Sequence, residues 1–293
     1  MRSAMGSSSV QGDIRLATVR AELEECAAIT NVVEPFVRVT AAQLAERTEG
    51  AFLLHSDGGY AFVAPSSYRR NPFAMVRVRP DRRGRGIGTA LLAAAREQAR
   101  AFDGTSMWGR VRADDDVSLS FVSRRGFEQI GRDVELVREV GRDEGELPPG
   151  IVELAPQYRR GAYQVAVESV GDIPRDGERG EAPPYDEWVA EKLGAAVAFA
   201  ALDGERVVGY AVLYDQPAAP GRLEHGLTAV LRSHRRRGIA TALQQAQIAW
   251  ASAHGFRELV TTTHELNAPL RAVKAKLGYV ERGRTIEVRG ELP

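Results

Sequence analysis

Two short stretches combine arginine with glycine as an anion cradle requires. They are Arg83-Gly84-Arg85-Gly86-Ile87-Gly88-Thr89 and Arg235-Arg236-Arg237-Gly238-Ile239-Ala240-Thr241. Each follows a strand-like run, 75–78 or 227–230, and each leads into an Ala/Leu-rich helical run, 89–101 or 241–253. A helix N-terminus presents unpaired N–H groups and the positive end of the peptide dipole, which suits a pyrophosphate. Glycine lets the phosphate approach the backbone, and the guanidinium groups add charge-assisted hydrogen bonds. A dinucleotide fingerprint would need G-x-G-x-x-G and a P-loop would need G-K-[ST]; neither turn has either pattern. A helix merely capped after a basic turn is the plainer alternative.

The two stretches are copies. Gly86 meets Gly238 at an offset of 152, and the same offset joins Gly126-Phe127 to Gly278-Tyr279, Gly131-Arg132 to Gly283-Arg284, and Glu135 to Glu287. A constant offset over such a span marks an internal duplication. Upstream, unit two carries about fifteen extra residues, expected in the Gly-, Pro- and charge-rich region 171–186.

Stepping from strand to turn to helix in each copy, the periodicity predicts a strand, two helices, strands, the Gly-rich turn, a helix, then strand, helix and strand. Thr40 with Gln43 forms a capping-box pattern at the start of a second helix. Residues 199–202 and 207–213, around Asp203-Gly204, read as a β-hairpin. The expected fold class is α/β of the mixed α+β kind: two tandem domains, each a mostly antiparallel mixed sheet flanked by helices. The expected division is a disordered lead-in over 1–10, an N-terminal domain over 11–142, a linker over 143–149 and a C-terminal domain over 150–293.

Both turns match [QR]-x-x-G-x-[GA], and together with Val78 or Val230 and the distal Gly-aromatic pair they resemble the GNAT superfamily of N-acetyltransferases. The resemblance covers most of both halves. It implies acetyl-CoA as acyl donor, with its pyrophosphate on Arg83, Gly84, Arg85, Gly86, Gly88 and Thr89 and on Arg235, Arg236, Arg237, Gly238, Ile239, Ala240 and Thr241. The thioester carbonyl would meet a backbone N–H near Val230, and Asn267, in Asn267-Ala268-Pro269-Leu270, would face the cofactor. Asn267 is equally a good helix start. Thr228 could bond the acyl arm or simply favour a strand.

The family's glutamate base falls at Glu224 in unit two and at Pro72 in unit one, which favours unit two as the catalytic half. A base is needed because a protonated amine has no lone pair with which to attack. Glu224 is otherwise an exposed strand-edge carboxylate. His225 is a second candidate base, or a packed or surface histidine. The family's acid tyrosine is replaced by Val122 and by Lys274, the latter read as a surface helix lysine. The implied reaction is direct N-acetylation of a small-molecule amine in a ternary complex; the alternative is a non-catalytic acyl-CoA sensor. Residues 172–188, acidic beside Tyr185 and Trp188, would suit a cationic acceptor or form a solvated loop.

Composition narrows the partners. Lys+Arg and Asp+Glu balance at 39 each, which argues against nucleic acid or an anionic membrane as partner. The five histidines have no i,i+4 pairing and no cysteine partners, so no metal is expected. No apolar run approaches a membrane span. The single cysteine, Cys26, fits a reducing compartment, a buried helix position and a cytoplasmic protein. A homodimer is compatible with the sequence.

Overall fold

The computed structural model describes residues 14–34, 38–48, 50–66, 69–102, 104–142, 145–172, 182–217 and 219–292. The expected lead-in over 1–10 and most of the extra segment, 173–181, lie outside them. The first half runs β1 (Arg15–Leu16), α1 (Arg20–Val33), α2 (Ala41–Glu46), β2 (Phe52–Ser56), β3 (Gly59–Ala64), β4 (Phe73–Val78), α3 (Ile87–Ala99), β5 (Ser106–Arg112), α4 (Asp116–Ser123) and β6 (Glu128–Glu139). The second runs β7 (Ile151–Glu153), α5 (Arg159–Val170), α6 (Tyr185–Leu193), β8 (Val197–Asp203), β9 (Arg206–Asp215), β10 (Arg222–Val230), α7 (Ile239–Ala253), β11 (Glu258–His264), α8 (Ala268–Lys276) and β12 (Val280–Glu291).

The chain makes the mixed α/β architecture twice. In the first unit β1 to β5 lie side by side in chain order, antiparallel except for the parallel pair β4/β5. In the second the order is β6-β11-β10-β9-β8-β7, with β10/β11 the parallel pair. Helix α3 turns Leu91, Ala95 and Ala99 onto its sheet at spacings of one helical turn. The expected capping box opens α2: Gln43 N–H donates to Thr40 Oγ1 at 3.2 Å, and Thr40 N–H donates to Gln43 Oε1 at 2.9 Å. Cys26 is fully buried on α1, and burial pushes its thiol up to about 12, so it is a packed structural thiol.

The compact units depart from a division at 142/150. Unit one comprises residues 1–111, 117–129 and 287–293; unit two comprises 112–116 and 130–286. The duplicated last strands are exchanged. Residues 133–139 of β6 pair antiparallel with β11 of the second unit. The end of the chain completes the first: Leu292 N–H donates to Thr105 O at 2.9 Å, and Glu287 binds Arg69 at 2.6 Å. The exchange follows from the repeat, because two copies of one strand can complete either sheet with the same hydrogen-bond pattern.

Candidate functional site: a split sheet over an anion-binding turn

In the second unit β10 and β11 pair only over Arg222↔Glu258, Leu223↔Leu259 and Glu224↔Val260, although β10 continues to Val230 and β11 to His264. The sheet therefore splits just beyond Glu224, and residues 225–230 present an edge that β11 does not fill. A bulge lies in the same stretch: on β10 the register steps from His225 to Thr228 while β9 steps only from Leu213 to Ala211. Bulges re-aim backbone and side chains beside functional sites. Gly226 is required there, since a Cβ would come within 2.5 Å of the Tyr214 ring. Leu231 N–H donates to Val208 O at 2.9 Å, so strand alternation turns the Val230 N–H to the opposite edge, toward the split.

At the end of β10 the chain makes the expected turn into α7. Gly238 is the N-cap residue with φ 81°, and Arg236 sits at φ 61°, where a non-glycine residue is strained. Arg235 Nε donates to Val230 O at 3.0 Å, pinning turn to strand, and Arg237 donates to Ser233 O at 3.2 Å. Ile239, Ala240 and Thr241 form the first helical turn, whose N–H groups lack intrahelical partners. A cavity of about 360 Å³ opens beside this turn, lined by Gly238, Ile239, Ala242, Leu202, Asp203 and His234 among others.

The first unit repeats the pattern with differences. Gly84 and Gly86 have φ 74° and 86°, Gly86 is the N-cap residue of α3, and Arg83 Nε donates to Val78 O at 3.3 Å. Arg85 reaches Asp81 O, Gly88 packs under Phe121, and Thr89 accepts from Arg125 at 2.6 Å. The β3/β4 ladder is regular, without a bulge. The last pair before the split is Phe73↔Trp108, so Phe73, not Pro72, holds the place of Glu224. The constant offset misassigned this position because β10 carries one bulge residue that β4 lacks. Neither residue can act as a base.

Glu224 is partly exposed and accepts from the Gln216 side-chain amide. His225 is buried; its Nδ1 donates to Gln247 Oε1 at 2.9 Å and its Nε2 accepts from the Tyr279 hydroxyl at 2.5 Å. Burial, with Lys274 nearby, holds its pKa well below the ordinary histidine value, so it is a neutral, packed imidazole. Asn267 caps α8, accepting from Leu270 N–H at 3.3 Å and donating to Thr263 Oγ1 at 3.2 Å. Asp172 turns to the turn itself, bound to Arg232 at 2.6 and 2.9 Å and to Arg235 at 2.6 Å, and these bonds hold its carboxyl down to about 2. Trp188 is buried against Tyr163, Tyr185 and Tyr210. Trp188 is therefore a packing residue, and Asp172 is an exposed carboxylate already paired to the turn.

The reading of Lys274 as a surface lysine is corrected: it is fully buried. Its Nζ donates to Gln244 Oε1 and lies 4.2 Å from the centre of the Tyr279 ring. Burial pushes its pKa well below the ordinary 10.5. Between the depressed folded value and 10.5, the unfolded chain holds a proton that the folded chain does not, so stability rises with pH and falls as pH drops. Urea unfolding midpoints measured from neutral pH to about pH 10 should climb for the wild type. Lys274→Met should flatten that climb; equal slopes would mean that Lys274 is protonated in the fold.

The second unit thus joins a mixed sheet split at its parallel pair to a glycine-arginine turn that opens a helix. The description "Acetyltransferase (GNAT) family" matches residues 30–127 and 167–279, and the chain belongs to that family. Among solved structures it is similar to a GCN5-related N-acetyltransferase from Sphaerobacter thermophilus, with 19% identity, TM-score 0.76, and 97% of this chain and 96% of that one covered. It is also similar to a tandem GNAT protein from the clavulanic acid biosynthesis pathway, solved without acetyl-CoA, with 18% identity, TM-score 0.75, and 96% and 99% covered. No protein of curated function matches the sequence. Among the described residues no helix is long and apolar enough to cross a membrane.

Proposed function

We propose that the chain transfers the acetyl group of acetyl-CoA to the nitrogen of a small-molecule amine, and that the second unit carries the chemistry. The observation that carries this reading is the coincidence, in that unit alone, of the split, the bulge and a carboxylate at the last paired residue, Glu224. The turn 235–241 would hold the pyrophosphate on backbone N–H groups and arginines. The Val230 N–H, aimed at the split, suits the oxygen on which negative charge develops during attack. Glu224, directly or through water, takes the proton that the amine must lose. His225, with both ring nitrogens engaged, is left the role of fixing one end of the bulge.

The first unit has the turn and the split but neither the bulge nor the carboxylate. Where the second has Ala229 opposite Tyr210, the first has Arg77 opposite Tyr60. Arg77 donates to Tyr60 Oη at 2.7 Å and to Glu34 at 2.9 Å, filling that face of the strand with a paired guanidinium. The functional assembly is therefore one acetyltransferase site per chain, with donor binding by the first unit a separate question. Calorimetric titration with acetyl-CoA, followed by an amine panel read by thiol release, tests the reading. One site and turnover with an amine are expected. Two equal sites without turnover would favour the acyl-CoA sensor, and absence of binding would leave only a fold.

A further inference from the structure

Beneath the split of the second unit lies a chain of buried polar side chains. Thr228 Oγ1, on β10 just past the bulge, accepts from Gln244 Nε2 at 2.6 Å; Gln244 Oε1 accepts from Lys274 Nζ; and Lys274 packs on Tyr279, which bonds His225 before the bulge. Gln244 and Lys274 are 1% and 0% exposed.

The duplication supplies an internal control. By sequence offset and ladder register, the first unit places Val76, Leu92, Val122, Phe127, Ala74 and Ala95 where the second has Thr228, Gln244, Lys274, Tyr279, His225 and Gln247. Most of these apolar residues belong to or pack against that unit's core. The fold is thus satisfied by an apolar filling. A buried amine without a carboxylate partner costs stability relative to that filling, so it calls for a purpose other than folding.

The order of donors and acceptors indicates the purpose. Lys274 Nζ donates to the oxygen of Gln244, which leaves the amide NH2 group facing Thr228. The NH2 group then donates to Thr228, whose oxygen is the acceptor. The Thr228 hydroxyl hydrogen must point elsewhere, and no acceptor for it is recorded among the described residues. Thr228 is half-buried, on the stretch of β10 that β11 does not cover.

We infer that Thr228 is a catalytic residue whose hydroxyl donates to the acyl carbonyl of the bound thioester, and that Gln244 and Lys274 are positioning residues that fix it as a donor. The inference rests on the reading of the split as the acyl-donor site. A donor fixed in advance strengthens its bond as negative charge builds on the carbonyl oxygen, without reorganisation.

Infrared difference spectra of acetyl-CoA isotope-labelled at the thioester carbonyl test this without knowledge of the acceptor. The bound band should be shifted down from its free position in the wild type and in Thr228→Ser, which keeps the hydroxyl. It should return toward the free position in Thr228→Val, and in Gln244→Leu and Lys274→Met, with Thr228→Val/Lys274→Met no further displaced than Thr228→Val. Affinity for CoA itself should stay within about twofold in all of them, while turnover in Thr228→Val falls by about 10²-fold. A wild-type band left unmoved by Thr228→Val overturns the inference while the acetyltransferase reading stands. A purely structural Lys274 would change the unfolding midpoint and leave the band in place, which also overturns it. Failure of the wild type to bind labelled acetyl-CoA would remove the acetyltransferase reading and this inference together.

Discussion

Glu224→Gln should lower acetyl transfer by about 10²- to 10⁴-fold, the range a positioned general base contributes, and leave acetyl-CoA affinity unchanged. The substitution is isosteric, and the β10 ladder to Tyr214 and Val260 runs through backbone groups that the side chain does not touch. The glycine-arginine turn begins eleven residues further along the chain, so donor binding has no reason to respond. What changes is the capacity to take a proton. The acid limb of the kcat/KM profile, which reports ionisation of the free enzyme's base, should disappear in the variant. Single-turnover rates with saturating acetyl-CoA against pH are the direct check. Undiminished turnover would remove Glu224 from the mechanism and, since His225 has both nitrogens engaged, would leave solvent as the base.

Gly238→Glu should abolish acetyl-CoA binding to the second unit, a loss of at least about 10²-fold, or about 2.7 kcal/mol. Two effects act together. The residue sits at φ 81°, where any side chain costs roughly 1–2 kcal/mol. It is the N-cap residue of α7, so the new carboxylate stands at the dipole end that an anion would use. Nothing lies within 4 Å of the added Cβ, so the substitution introduces no core clash and the protein still folds. Gly238→Ala separates the contributions: it keeps the backbone strain without the charge and should lose less than about tenfold in affinity. Gly86→Glu makes the same change in the first unit, at φ 86°, and should leave the catalytic site's affinity intact. Equal losses in Gly86→Glu and Gly238→Glu, read by titration, would make the first unit a partner in donor binding.

How far the site was legible depended on how local its causes are. The turns could be read directly: glycine at a left-handed φ, arginine beside it and a helix behind it are neighbours in the chain, and the repeat at a fixed offset displayed the pattern twice. The capping box at Thr40 and Gln43 and the β8/β9 hairpin are of the same kind, each set by residues within a few positions of one another. The mixed α/β class followed from these elements in order.

What the chain order concealed was everything that depends on register and burial. One extra residue in β10 displaced the equivalence of Glu224 from Pro72 to Phe73, because a bulge changes the ladder without marking the sequence. Lys274 read as a surface residue because a lysine on a short helix usually is one. Its burial comes from α7 and Tyr279, thirty and five residues away in opposite directions. The one signal that was available lay in comparing the two copies of the helix, where Leu92 and Ala95 answer to Gln244 and Gln247. The destination of Asp172 and the exchange of the last strands had no local trace at all. The sequence by itself determined a duplicated glycine-arginine turn at a helix start, since backbone geometry at glycine and helix initiation are short-range properties. Only the tertiary structure decided which polar groups face one another across the split, because strand register and burial are set by residues far apart in the chain.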